Sequence, residues 1–246
     1  MPKDKDKFAI FALAKMKMNM KKLVMLALAA LVAIPVFAQD DETNRVYTAP
    51  GGKAFVDVMS HAGYGYHIVK TDEFTPAWSG ELFFNIVKFG LRPADVLGID
   101  LSVDFAWSDF DSKDKAFKQE NRIVKTADYD YYTHGNAERK HSGLDVYSLQ
   151  APLMLKGIFG AFQLGAGAFA SWNIGGETFC RYRQDNVRAQ LYETNAKVNP
   201  FTYGFIATAA IKDFGVYFKY YPKSSRLLPE GSVDLSYATL GIVVGF

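Results

Sequence analysis

The strongest constraint on the fold is a period-two apolar pattern over 96–108. Every second residue is apolar, namely Leu97, Ile99, Leu101, Val103, Phe105 and Trp107. Successive side chains of a strand point to opposite faces, whereas a helix would need apolar residues at spacings of three and four. The segment is therefore predicted to be a β-strand with one apolar face. Its length is at least the ~9–11 residues that a tilted transmembrane β-strand needs.

Seven further segments show the same pattern, and they span 54–69, 80–91, 144–157, 161–173, 201–212, 214–222 and 233–246. The connections between the strands alternate in length. The short ones are 92–95, 157–160 and 212–213, and the long polar ones are 71–79, 109–143, 174–200 and 223–232. Outer-membrane barrels have short periplasmic turns and long extracellular loops. We therefore predict an all-β fold, an eight-stranded antiparallel up-and-down transmembrane β-barrel (meander) with both chain ends in the periplasm.

The N-terminal segment predicts export from the cytoplasm. Two lysines at 21–22 precede the apolar run 23–37, and Val-Phe-Ala at 36–38 fits a secretory cleavage site. An uncleaved anchor is the alternative, but the run is shorter than the ~20 apolar residues of a spanning helix. The predicted division is an extension and signal peptide at 1–38, a periplasmic lead-in at 39–53 and a barrel domain at 54–246. The start of translation stays open among Met1, Met16, Met18 and Met20.

Charge and cysteine content exclude two classes of protein. Residues 1–38 hold seven lysines and two aspartates, so their removal changes the formal net charge from +2 to −3. A mature chain of this charge predicts no nucleic acid partner. Cys180 is the only cysteine, so no internal disulfide is possible, and its distance from the apolar run excludes a lipoprotein anchor. The role of this thiol stays open.

Aromatic residues are predicted to cluster at the two ends of the strands. The group near the extracellular ends is Trp107, Tyr147, Trp172 and Tyr203, and the group near the periplasmic ends is Phe89, Phe159, Phe162, Phe214 and Phe246. Aromatic rings prefer the headgroup level of a bilayer, so we expect two aromatic girdles in contact with outer-membrane lipid. The alternative, the aromatic core of a soluble β-sandwich, does not explain why the rings gather at strand ends.

The polar faces of the strands are predicted to fill the barrel interior. They carry Asp57, His61, Glu81, Asn85, Asp100, Asp104, Gln150, Lys156, Gln163, Lys212 and Lys219. An eight-stranded barrel is just wide enough for its side chains, and unpaired charges in so narrow a space are costly. We therefore expect a hydrogen-bonded and ion-paired lumen plug. A narrow ion pore is the alternative.

The C-terminal strand ends in an aromatic residue, Phe246, and three alternate positions before it are apolar, namely Leu240, Ile242 and Val244. Segment 148–157 reads Ser-Leu-Gln-Ala-Pro-Leu-Met-Leu-Lys-Gly, and the glycine-rich segment 163–169 follows it. Together these features resemble the Bacteroidetes PorT-like family, the "outer membrane protein beta-barrel domain" type. In that family the first of these segments reads L-E-x-P-L-L-L-K, and here Gln150 replaces the acid.

The resemblance implies the outer membrane of a Gram-negative, Bacteroidetes-like bacterium. It also implies that the barrel insertion machinery reads Phe246, Val244, Ile242 and Leu240 as an assembly signal.

No motif in the sequence predicts catalysis. A lipid-modifying barrel would need a His-x-Ser pair on one strand face, but Ser60-His61 and His141-Ser142 are adjacent pairs. No G-x-S-x-G, P-loop or H-E-x-x-H motif occurs. Three aspartates at 109–114 hint at calcium, but the glycine and distal glutamate of a helix-loop-helix calcium site are missing. We expect no enzyme activity, catalytic residue, cofactor or metal.

The long loops are the predicted functional segments. Loop 109–143 is rich in charge and contains Tyr129, Tyr131 and Tyr132, which suit a binding surface. We predict a non-enzymatic surface scaffold that presents loops 109–143 and 174–200 to an extracellular protein, glycan or surface-layer partner. The alternatives are a narrow ion pore and a transport or secretion component, since the family resemblance implies the type IX secretion system.

Overall fold

The computed structural model describes residues 45–71, 76–112, 116–119, 122–125, 141–184, 187–194 and 196–245. Thirteen strands form within these residues. They are β1 (Arg45–Thr48), β2 (Ala54–Val58), β3 (Ala62–Lys70), β4 (Gly80–Ala94), β5 (Leu97–Ser112), β6 (Ala116–Gln119), β7 (Arg122–Lys125), β8 (His141–Phe159), β9 (Phe162–Gln184), β10 (Val187–Thr194), β11 (Phe201–Ile211), β12 (Phe214–Tyr220) and β13 (Ser236–Val244). No helix in the described part of the chain is long and apolar enough to cross a membrane.

Eight strands close into a barrel, as predicted. The order around the wall is β3, β4, β5, β8, β9, β11, β12 and β13, and every neighbouring pair is antiparallel. Strand β13 completes the circle by pairing with β3 from Ser236↔Lys70 to Val244↔Ala62. The fold is therefore an all-β, closed, up-and-down barrel, and closure removes the free edges of the sheet.

The first wall strand is interrupted, so the prediction of one continuous strand at 54–69 is wrong. Residues Met59, Ser60 and His61 separate β2 from β3, and Met59 has a φ of 49°. Asn85 on β4 bridges the gap, because its backbone N–H donates to the His61 carbonyl at 2.8 Å. Its side-chain oxygen accepts from the Ser60 N–H at 3.2 Å and the Ser60 hydroxyl at 3.1 Å. Strand β1, within the predicted lead-in, pairs with β2.

The outer surface of the wall is apolar and the inner surface is polar. On β5, Leu101 is 43% exposed, whereas Asp100 is 3% and Ser102 is 5% exposed. Exposed apolar side chains surround the barrel, and they include Ile68, Phe89, Leu101, Leu153, Leu155, Leu164, Phe205, Phe218, Leu240 and Ile242. A continuous apolar belt of this kind is stable in contact with lipid rather than water.

The two ends of the barrel differ, and we call them the turn end and the loop end. The turn end carries the two-residue turns at 95–96, 160–161 and 212–213. The first turn was predicted at 92–95, but β4 continues to Ala94. The loop end carries the longer connections.

Strands β5, β8 and β9 extend beyond their predicted ends at the loop end. Strand β9 runs to Gln184, and β10 returns along it from Val187↔Gln184 to Thr194↔Glu177. Most of 174–200 is therefore a β-hairpin rather than the predicted loop, because strand pairing satisfies the backbone N–H and C=O groups of this segment. Strands β5, β8, β9 and β10 form an extended sheet above the wall, and the β6–β7 hairpin lies within 109–143.

Four of the predicted girdle residues, Tyr203, Phe159, Phe162 and Phe214, lie near strand ends, whereas Phe89, Trp107, Tyr147 and Trp172 lie further inside their strands. Exposed rings at the loop end belong to Trp172 and Tyr203, and those at the turn end belong to Phe89, Phe159, Phe162 and Phe214. Trp107 and Tyr147 are half-buried instead. The indole N–H of Trp107 donates to Asp145 at 3.1 Å, which holds this ring against the wall. Phe246 lies outside the described residues.

Candidate functional site: the barrel interior

The turn end of the interior holds two ion-pair groups. In the first, the Asp57 carboxylate accepts from Arg45 Nε at 3.0 Å and lies 3.2 Å from Lys88 Nζ. Phe55 lies between the cations, with the Arg45 guanidinium 4.2 Å from its ring centroid. Each charge here therefore has an opposite partner.

The second group is centred on Asp100, which is buried on β5. Its carboxylate lies 2.5 Å from Arg92 and 2.9 Å from Lys156 Nζ. Two cations on one carboxylate offset much of the cost of removing it from water.

The middle of the barrel holds two further groups. Asp104 accepts from the Asn85 amide at 2.9 Å and lies 3.5 Å from His61 Nε2. Glu81 accepts from Lys219 Nζ at 2.7 Å, and the same ammonium donates to Gln150 at 2.8 Å.

Aromatic rings replace ion pairs toward the loop end. His67 Nδ1 lies 2.8 Å from the Thr239 hydroxyl, and its ring stacks on Phe110 at a centroid distance of 4.6 Å. Tyr237 meets both of these rings edge-on, and Tyr221 stacks on Tyr237 at a centroid distance of 4.1 Å. The interior thus changes from charged to apolar along the barrel axis.

Residues 222–235, which we call the cap segment, close the loop end. Residues 223–232 form a long loop, as predicted, with Lys223, Arg226 and Glu230 exposed, but the burial of apolar side chains from this loop was not predicted. The cap segment buries four apolar side chains against the aromatic stack, namely Leu227, Leu228, Val233 and Leu235. Burial of such side chains contributes roughly 1.5–3 kcal/mol each, which draws the segment into the barrel.

Asn199 holds the cap segment in place. Its side-chain amide donates to the carbonyls of Arg226 at 2.7 Å and Leu228 at 3.0 Å, and its backbone N–H donates to the Leu227 carbonyl at 2.8 Å. Asn173 on β9 in turn donates to the Asn199 carbonyl at 2.7 Å. The cap segment is therefore attached to the wall by hydrogen bonds as well as by packing.

A cavity of about 50 Å³ lies among the ion pairs, lined by His61, Lys88, Asp100, Asp104, Lys156 and Lys219 with apolar neighbours. This volume accommodates about four waters. No His, Cys, Asp or Glu cluster with the arrangement of a metal site occurs among the described residues.

Most predicted interior residues do point inward, and the exceptions are Lys212 and Gln163. Lys212 was predicted to point inward, and this is wrong, because it lies exposed in the 212–213 turn with a φ of 53°. Gln163 is half-buried at the turn end of β9. The side chain of Cys180 lies outside what the structure describes.

Sequence reasoning missed the interior residues Lys88, Arg92 and His67, and it missed Arg45, an exposed residue of β1 whose side chain pairs with Asp57. Lys88 was missed because a bulge between Asn85 and Val87 shifts β4 by one position and reverses its alternation. Arg92 was assigned to a turn that β4 in fact extends through. His67 could have been found, since it continues the inward series of odd-numbered residues from Asp57.

Comparison with known proteins gives distant structural likeness alone. No protein-family model matches the chain, and no curated protein matches it. Ail, the attachment invasion locus protein of Yersinia pestis, is 13% identical with a TM-score of 0.33, over 79% of this chain and 98% of Ail. Ail in complex with the heparin analogue sucrose octasulfate gives a TM-score of 0.32 at 13% identity over the same shares. A major outer membrane protein from Thermus thermophilus is 10% identical with a TM-score of 0.36, over 80% of this chain and 86% of that protein. Likeness at this level carries no inference about function, and the PorT-like resemblance stays a prediction.

Proposed function

We propose that this protein is an outer-membrane β-barrel that acts as a non-enzymatic surface scaffold. The observation that carries the proposal is the closed interior, filled by ion pairs at the turn end and by the cap segment at the loop end. A barrel without a water path serves as an anchor, and its external segments are then the parts available for interaction.

The apolar belt and the asymmetry of the connections support the proposed location and orientation. In outer-membrane barrels the short turns face the periplasm and the long connections face outward. By this rule the 160–161 and 212–213 turns are periplasmic, and the extended sheet of β5, β8, β9 and β10 stands outside the cell.

An epitope tag distinguishes the two sides of the membrane. We expect a tag between Asn136 and Ala137 to be detected by antibody on intact cells, and a tag between Lys212 and Asp213 only after permeabilisation. The protein should fractionate with the outer membrane and migrate differently on gels before and after heating. Recovery as a soluble periplasmic protein, or surface detection of the 212–213 tag, would contradict the proposal.

The extended sheet is the proposed partner-binding part, with a protein, glycan or surface-layer molecule as the partner. In the same cells, replacing 177–194 with a short Gly-Ser turn should leave an inserted, heat-modifiable barrel and should reproduce the phenotype of gene deletion. Asp104→Asn should not reproduce it. Cargo trapped in the periplasm after gene deletion would instead favour the secretion role that the PorT-like resemblance implies.

A further inference from the structure

We propose that the loop end binds the phosphate group of a lipid headgroup in the outer leaflet, through Lys223 and Arg226 above Tyr203. The inference rests on the proposed function, because it requires the barrel to lie in a membrane with the loop end outward. Neither cation takes part in the closed interior. Both follow β12 at the start of the cap segment, where the chain leaves the wall.

A tight turn carries the first cation, and the second follows directly after it. The Ser225 N–H donates to the Pro222 carbonyl at 2.8 Å, which places Lys223 at a corner of the turn and Arg226 directly after it. The next residue, Leu227, is buried in the interior. Inward packing of the cap segment therefore leaves its two cations at the outer surface.

Hydrogen bonds fix this turn over an aromatic residue of the girdle. The Tyr203 N–H donates to the Ser225 hydroxyl at 2.6 Å, and the Tyr203 hydroxyl lies 2.7 Å from that of Ser224. The ring of Tyr203 is exposed on the outer wall, as is Tyr220. Lys223 follows Tyr220 by three residues, so their Cα atoms are about 10 Å apart at most. Since exposed aromatic rings mark the headgroup level, the cations lie at that level too.

Among the described residues, the two cations have no ion-pair partner. Both side chains are exposed, and in the described part of the chain neither forms an ion pair or side-chain hydrogen bond. The carboxylates of Glu230 and Asp234, also in the cap segment, form no ion pair with them. Lys and Arg with adjacent hydroxyl groups are suited to a phosphate, and headgroup phosphates lie at this depth. The chemistry and the position select a phosphorylated lipid.

The test compares binding of two lipids to the folded barrel in detergent micelles by native mass spectrometry. We expect the wild-type barrel to bind diphosphoryl lipid A at least tenfold more tightly than dephosphorylated lipid A. Lys223→Gln and Arg226→Gln should each weaken diphosphoryl lipid A binding by about fivefold, which corresponds to about 1 kcal/mol per cation. Lys212→Gln is the matched control, because it removes an exposed lysine at the opposite end and should change nothing.

Two outcomes would overturn the inference. One is equal binding of diphosphoryl lipid A by the wild type and by the Lys223→Gln/Arg226→Gln double variant. The other is displacement of the lipid by inorganic phosphate at the same concentration, which would identify a site for free phosphate. A wild-type barrel that inserts into phosphatidylcholine vesicles but does not distinguish the two lipids contradicts this inference alone, whereas failure to insert contradicts the proposed function.

Discussion

Replacing Lys219 with methionine is expected to destabilise the folded barrel by about 3–5 kcal/mol. Lys219 and Glu81 form a buried ion pair at 2.7 Å, and their side chains are 3% and 0% exposed. Methionine keeps most of the volume but leaves the Glu81 carboxylate buried without its cation. The free energy of unfolding in urea, measured for the barrel refolded into lipid vesicles, gives the size of the loss.

A second substitution separates the ion pair from simple packing. Glu81→Gln in the Lys219→Met background removes the uncompensated charge, so more than half of the lost stability should return. Lys212→Met is the surface control and should change the unfolding free energy by less than about 0.5 kcal/mol. Equal losses in the single and double variants would show that the pair does not hold the interior together.

Leu101→Arg is expected to cost about 2–4 kcal/mol, since Leu101 faces outward near the middle of β5 and a charge there would lie in hydrocarbon. Leu97→Arg is the matched control on the same face of the same strand. Leu97 lies beside the 95–96 turn, at the membrane surface, so its loss should be about 0–1 kcal/mol.

The same unfolding measurement in vesicles compares these two variants. A clear difference between them supports a belt buried in lipid, because the substitutions differ in depth alone. Equal losses at the two positions would mean that β5 does not cross a bilayer with this face outward.

The sequence predicts the barrel well because period-two alternation links each residue directly to one face of the wall. Wherever the strand is regular, as on β5, the inward residues Asp100 and Asp104 follow from counting. Assigning faces by counting every second residue fails where a strand contains a β-bulge. A single extra residue near Asn85 on β4 reversed the expected direction of Lys88, and nothing local in the sequence marks that position.

The loop end was less predictable, since its structure depends on contacts between segments distant in sequence. The cap segment reads as polar because Lys223, Arg226 and Glu230 surround its apolar residues. Its burial depends on the aromatic stack and on Asn199, which become neighbours only after the barrel closes. The extension of β9 to Gln184 likewise needs β10 as a partner.

Planar-bilayer conductance of the purified barrel tests the central claim, that the interior is closed and the protein acts as a scaffold. Ion pairs around Asp57, Asp100, Asp104 and Glu81 fill the interior, and the apolar cap segment covers the loop end, so we expect them to block a continuous water path. We expect no steady current from inserted wild-type barrels. A steady open-channel current whose ion selectivity changes with Asp104→Asn would contradict it.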